Sequence, residues 1–175
     1  MRISEIMTLK DLGFYINFPF PSEEKLVITN AIKNIKIPPK QGEIQKKLES
    51  ELTKTLKKHG YFSSETGDTE CRLWMPEFQH AVDFYNPDKK IAIEVEKAEI
   101  KRIMHDLLKL VNATKTFRPK IKYGVLIVPN KYFIRSGVRN FISTIKQEIS
   151  FYFSNLLGDS GLLDLLIISY EVKSK

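Results

Sequence analysis

The stretch His80-Ala81-Val82-Asp83-Phe84-Tyr85-Asn86-Pro87-Asp88-Lys89-Lys90-Ile91-Ala92-Ile93-Glu94-Val95-Glu96-Lys97 decides how the whole chain reads. Two apolar runs flank a turn-forming segment, and three acids are threaded through them. Asp and Glu are disfavoured in strands and are rarely buried without a partner, so their presence among Val, Phe and Ile points to a use for their charge. Successive strand residues face opposite sides of a sheet. Ile91, Ile93 and Val95 therefore share one face, and Ala92, Glu94 and Glu96 the other. In the first run Ala81, Asp83 and Tyr85 project together, opposite to Val82 and Phe84. Residues 86–90 supply turn chemistry, so a hairpin brings Asp83 beside Glu94 and Glu96. Crowded carboxylates repel and raise one another's proton affinity unless a cation neutralises them. An all-oxygen set suits a hard ion, Mg²⁺ or Mn²⁺. The alternative is a half-exposed hairpin whose acids only meet solvent.

Outward from this stretch, the 175 residues, 42% of them hydrophobic, suffice for one core, and a single domain spanning residues 1–175 is expected. Lys plus Arg number 28 against 21 Asp plus Glu, giving +7, which is compatible with a polyanionic partner. An acidic cluster inside a basic protein fits a metal site surrounded by a phosphate-binding surface. Cys71 is the only cysteine, which excludes an intramolecular disulfide and a thiolate zinc site and leads us to expect a cytoplasmic protein. No run has the length and apolarity of a membrane span, and the start lacks the apolar core of a signal peptide.

Upstream, Ser22 is a candidate cap for a helix that ends near Ile37-Pro38-Pro39. Over residues 43–59 the pattern Ile44, Leu48, Leu52, Leu56 predicts an amphipathic helix stopped at Gly60. Residues 72–75 read as a short strand. Downstream of Lys97 the period lengthens, with Ile100, Ile103, Met104, Leu107, Leu108 and Val111 on one helical stripe. Residues 121–129 form a short β-branched run, as expected of a strand buried on both faces. A long helix carrying Val138, Phe141, Ile142, Ile145, Ile149 and Phe153 follows, and residues 162–172 read as a last strand at the sheet edge.

An α-β-β-β-α-β core with Asp on the second strand, Glu-x-(Lys or Glu) on the third and a helix directly after it resembles the PD-(D/E)XK nucleases of restriction-endonuclease-like fold. Asp83, Glu94 and Glu96 fill those positions, and the Glu94-Val95-Glu96 variant followed by His105-Asp106-Leu107-Leu108-Lys109 is most similar to the BamHI and BglII branch of type II restriction endonucleases. Val82 stands where the pattern has proline and Glu96 where it has lysine. The similarity covers residues 43–129, with additions at both ends. It implies an α/β fold with a central mixed sheet flanked by helices, and a Mg²⁺-dependent endonuclease, with Mn²⁺ as a substitute, that cuts double-stranded DNA.

The same resemblance implies roles. Asp83, Glu94 and the Val95 carbonyl would hold the metal, and Glu96 would orient or deprotonate the attacking water. Lys97 is a second candidate for the electrostatic role of the family's lysine. An extra ligand from the preceding helix points to Glu51, with Glu49, Glu65, Glu70 and Glu77 as further candidates. His80 and His105 are as readily packing residues as catalytic ones. Lys101, Lys109 and the group Lys54, Lys57 and Lys58 are candidates for phosphate contacts, and Lys131, Arg135 and Arg139 for base contacts. Phe14, Tyr15, Phe18 and Phe20 read as core or dimer surface. The expected assembly is a homodimer on a palindromic DNA site. A structure-specific repair or junction-resolving nuclease and a non-catalytic nucleic-acid-binding module are the rival functions.

Overall fold

The computed structural model describes residues 1–36, 43–73, 80–96, 102–117, 119–134, 137–153 and 160–171. Its strands are β1 (Ile3–Thr8), β2 (Phe62–Ser63), β3 (Phe84–Asn86), β4 (Ile91–Val95), β5 (Tyr123–Pro129), β6 (Lys131–Ile134), β7 (Gly137–Asn140) and β8 (Asp164–Tyr170). Its α-helices are α1 (Ser22–Lys33), α2 (Glu43–Leu56), α3 (Ile103–Thr116) and α4 (Phe141–Glu148). Six strands form one mixed sheet in the order β1-β8-β5-β4-β3-β2, while β6 and β7 pair separately. The central trio β8, β5 and β4 is parallel, and β1, β3 and β2 join antiparallel. Parallel strands need both faces covered. On one face Ile91, Ile93, Val95, Val125 and Ile127 pack against Ile28 and Ile32 of α1 and Leu48, Leu52 and Leu56 of α2. On the other, Ala92, Leu126, Val128 and Ile167 pack against Ile103, Leu107 and Leu110 of α3 and Phe141 and Ile145 of α4. The expected α/β architecture, a mixed sheet between helices, is the one observed.

Several local expectations need correction. Residues 131–134 and 137–140 are not the start of a long helix but two paired antiparallel strands, with Lys131 opposite Asn140 and Ile134 opposite Gly137. Gly137 takes φ 139°, open to glycine and strained for other residues, and Asn140 caps α4 by accepting the Ser143 N–H at 3.2 Å. Val138 is consequently 56% exposed rather than part of the core. β8 is an inner strand, buried along its full length, because β1 at the N-terminus pairs along its outer side. Arg72 contributes an isolated bridge to Ala81, and it is β2 that pairs with β3. Pro21, not Ser22, occupies the cap position of α1. Of the N-terminal aromatics, Phe20 is buried, whereas Tyr15 and Phe18 are exposed.

Candidate functional site

The β3–β4 hairpin sets the site. Phe84 stands opposite Ile93 and Tyr85 opposite Ala92, a register that carries Asp83 opposite Glu94. Asp83 is fixed from two directions: its Oδ2 accepts the Val95 N–H at 2.7 Å, and its carbonyl accepts the Ser64 N–H at 3.0 Å. Beyond the end of β4 the Glu96 N–H donates to the Ile127 carbonyl at 2.9 Å, so the parallel ladder with β5 continues and orients Glu96. Glu94 and Glu96 are only 1% and 4% exposed. Asp83, Glu94, Val95 and Glu96 line one pocket with Arg102, Asp106 and Lys109. Its cavity of about 70 Å³ is far below the usual size of a site for an organic ligand.

Helix α3 closes this pocket. Lys109 Nζ lies 2.5 Å from Glu94 Oε2, 3.5 Å from Asp106 Oδ1 and 3.3 Å from the Ala81 carbonyl. One turn earlier, the Asp106 carboxyl hydrogen-bonds the Glu96 carboxyl. Burial pushes Asp106 up to about 7, with the charges of Glu96 and Asp83 adding to the rise and Lys109 opposing it. Glu94 is likewise held well above the ordinary carboxylate range, first by burial and then by Asp83. Lys109 stays above the usual lysine value because Glu94, Asp83 and Asp106 together outweigh its own desolvation. The rings of His80 and His105 meet edge to face at 5.1 Å, and burial with the nearby Lys109 charge lowers the His105 imidazole.

The chemistry of the donor set can be tested on one atom. Glu94 Oε1 is buried and has no hydrogen-bond partner. An unpartnered carboxylate oxygen away from water is costly, and a hard cation relieves that cost. Asp83, the Val95 carbonyl and Glu94 Oε1 are all oxygen donors of the type that Mg²⁺ and Mn²⁺ prefer, so the residues fit such an ion. Among the described residues no three acids or histidines close a metal shell by themselves. Mg²⁺ commonly retains waters and binds through one or two carboxylates, so a partial protein shell is the ordinary arrangement.

Asp83, Glu94, Val95 and Glu96 are thus gathered as the sequence predicts. Glu51 is not among the pocket's lining residues. It pairs with Lys54 at 2.6 Å on α2, whose core stripe covers the sheet face opposite to Glu94. Glu65 is engaged by the Thr53 hydroxyl at 3.0 Å instead. Lys109, expected on a phosphate-facing surface, is turned inward with its side chain 14% exposed, because two buried acids attract it. Lys131 is exposed at the base of the β6–β7 hairpin and Arg139 lies on β7. Lys97, Lys101, Arg135 and Glu77 lie outside the described residues. Asp106 was missed as a site residue. The available signal was an acid on the apolar stripe of α3, three residues after Ile103 and four before Leu110.

Among solved structures, the restriction endonuclease BglII complexed with a DNA 16-mer has the same fold, at a TM-score of 0.65 and 9% sequence identity, over 100% of this chain and 78% of that one. No curated protein matches the sequence. Residues 15–170 match the model of the family described as "Putative halobacteria restriction endonuclease", and the chain belongs to that family.

Proposed function

We propose that this protein is a metal-dependent DNA endonuclease of the PD-(D/E)XK type, acting as a type II restriction enzyme on a short palindromic site. The observation that carries the reading is the buried, unpartnered Glu94 Oε1 in a pocket shared with Asp83 and Glu96. Family membership and the BglII-like fold support it from outside the site. Asp83, the Val95 carbonyl and Glu94 would hold Mg²⁺, which when bound lowers the pKa of a water and offsets charge developing on the phosphate. Glu96 takes the attacking water's proton, a task suited to a buried carboxylate that already shares a hydrogen bond with Asp106. Lys109 holds Glu94 through Oε2 and leaves Oε1 for the ion. The net charge of +7 draws the phosphate backbone to the molecule. Two copies related by a two-fold axis match the symmetry of a palindrome and cut both strands.

The test pairs binding with cleavage. Titration calorimetry with Mn²⁺ should give saturable binding to the wild type that Glu94→Ala abolishes. Incubation of plasmid DNA with wild type and Mg²⁺ should give discrete fragments. Mn²⁺ affinity unchanged in Glu94→Ala removes the proposed metal site. A smear assigns a non-specific nuclease, and intact DNA removes the activity.

A further inference from the structure

The end of the Lys109 side chain lies in a seat built of oxygen. The side chain is 14% exposed, and three acceptors from separate parts of the chain face Nζ: Glu94 Oε2 on β4 at 2.5 Å, the Ala81 carbonyl before β3 at 3.3 Å and Asp106 Oδ1 on α3 at 3.5 Å. Two carboxylates and a main-chain carbonyl are also the donor types that hold a hard divalent cation. A lysine ammonium is a compact point charge with three N–H donors, and it can take the place of an ion in such a seat.

Each wall of the seat is fixed by the fold. Asp106 and Lys109 are three residues apart on α3 and share one face of the helix. Ile103, Leu107 and Leu110 anchor that helix in the core. Glu94 pairs with Leu126 in the parallel ladder between β4 and β5, and Ala81 is held by its bridge to Arg72. Glu94 divides its two oxygens between different surroundings: Oε2 accepts from Lys109, while Oε1 is buried without a hydrogen-bond partner. One end of the carboxylate is thus neutralised by the chain itself, and the other is not.

In two-metal phosphoryl-transfer sites the ions stand about 3.5–4 Å apart, close enough to share a carboxylate. We propose that Lys109 takes the part of the second ion, so that this site holds a single divalent cation, on the Oε1 side of Glu94, and a helix lysine supplies the remaining positive charge. The inference rests on the metal-site reading above and adds the number of ions to it. A first ion gains Glu94 Oε1, Asp83 and the Val95 carbonyl, which line the same pocket. A second ion at the same carboxylate has to take oxygens that the ammonium already engages, and the fixed charge of Lys109 opposes its approach.

The test counts ions. Equilibrium dialysis of the full chain against saturating Mn²⁺, with the metal measured by atomic absorption, gives the Mn²⁺ bound per chain, and subtracting the count for Glu94→Ala isolates this site. Wild type should hold one such ion. Lys109→Gln removes the charge and frees the three oxygens, so its count should rise from one to two, and a cooperative melt in the same Mn²⁺ confirms that each protein is folded. Two Glu94-dependent ions in wild type overturn the inference and leave the metal site standing, as does a count of one in folded Lys109→Gln. Should Lys109→Gln fail to melt cooperatively, the wild-type count still decides, with one ion in support and two against. A wild type with no Glu94-dependent ion overturns the metal-site reading itself, and the inference with it.

Discussion

Removing one partner of the Lys109–Glu94 pair has a predictable sign. The side chains are 14% and 1% exposed, so Lys109→Met leaves a carboxyl group buried without its counter-charge. Loss of one member of a buried pair destabilises by roughly 3–5 kcal/mol, and urea denaturation at pH 7.5 should register a loss of that order. An unchanged unfolding midpoint would mean that the pair contributes nothing. Asp106 makes a second prediction, about pH. Its folded value of about 7 lies above the ordinary aspartate value of 3.8, so between these values the folded state binds protons that the unfolded state has released. The contribution of Asp106 to the stability of the metal-free protein is therefore full below about pH 4 and is lost as pH rises to about 7. Melting temperature should be higher at pH 5 than at pH 8, and Asp106→Asn should flatten the difference. A profile in Asp106→Asn as steep as in wild type would assign the dependence to other groups.

Among the elements, β5 and α3 approach one another where Gly124 faces the helix. A Cβ placed there would come 3.0 Å from Leu165 Cδ1 and 3.1 Å from Leu110 Cδ1. Gly124→Val therefore overpacks the core that holds α3 against the acids, at roughly 1–3 kcal/mol, and a lowered denaturant midpoint is the expected outcome. Elements with strong local patterns were legible in the sequence. The β3–β4 hairpin follows from alternation around Asn86-Pro87, and α2 from leucines every fourth residue that end at Gly60, which adopts φ 80°. What failed was set by long-range pairing. Val138 and Phe141 fit a helical stripe, yet Gly137 and the Asn140 cap divide them between a hairpin and a helix. The inner position of β8 depends on β1, more than 150 residues away in the chain, which local periodicity cannot reveal. Asp83, Glu94 and Glu96 were legible because acids within apolar strands stand out. Asp106 is signalled only by its place on the apolar stripe of α3, and Lys109 reads as a surface charge because a lysine on a helix is ordinary.

At the scale of the whole molecule, Asp83, Glu94, Glu96 and Asp106 meet in one pocket of a protein that carries +7 overall. No helix among the described residues is long and apolar enough to cross a membrane. Under the proposed nuclease function the arrangement would separate two contributions to an encounter with duplex DNA: the excess positive charge would attract phosphates, while the acid pocket would repel them until a cation is bound. Asp83→Ala with Glu94→Ala removes two of the repelling charges without touching the lysines and arginines. The double variant should therefore bind duplex DNA in the absence of metal at least as tightly as wild type, while giving no cleavage in Mg²⁺. Affinity of both proteins should fall steeply with salt, because each neutralised phosphate contributes a slope of about −0.9 in log K against log salt. Fluorescence anisotropy with a labelled duplex, at about 50 and 200 mM salt, reads the slope and the comparison together. Weaker binding by the double variant would show that the acids contribute to the DNA surface rather than oppose it, and a slope near zero would remove the electrostatic account of how duplex reaches the site.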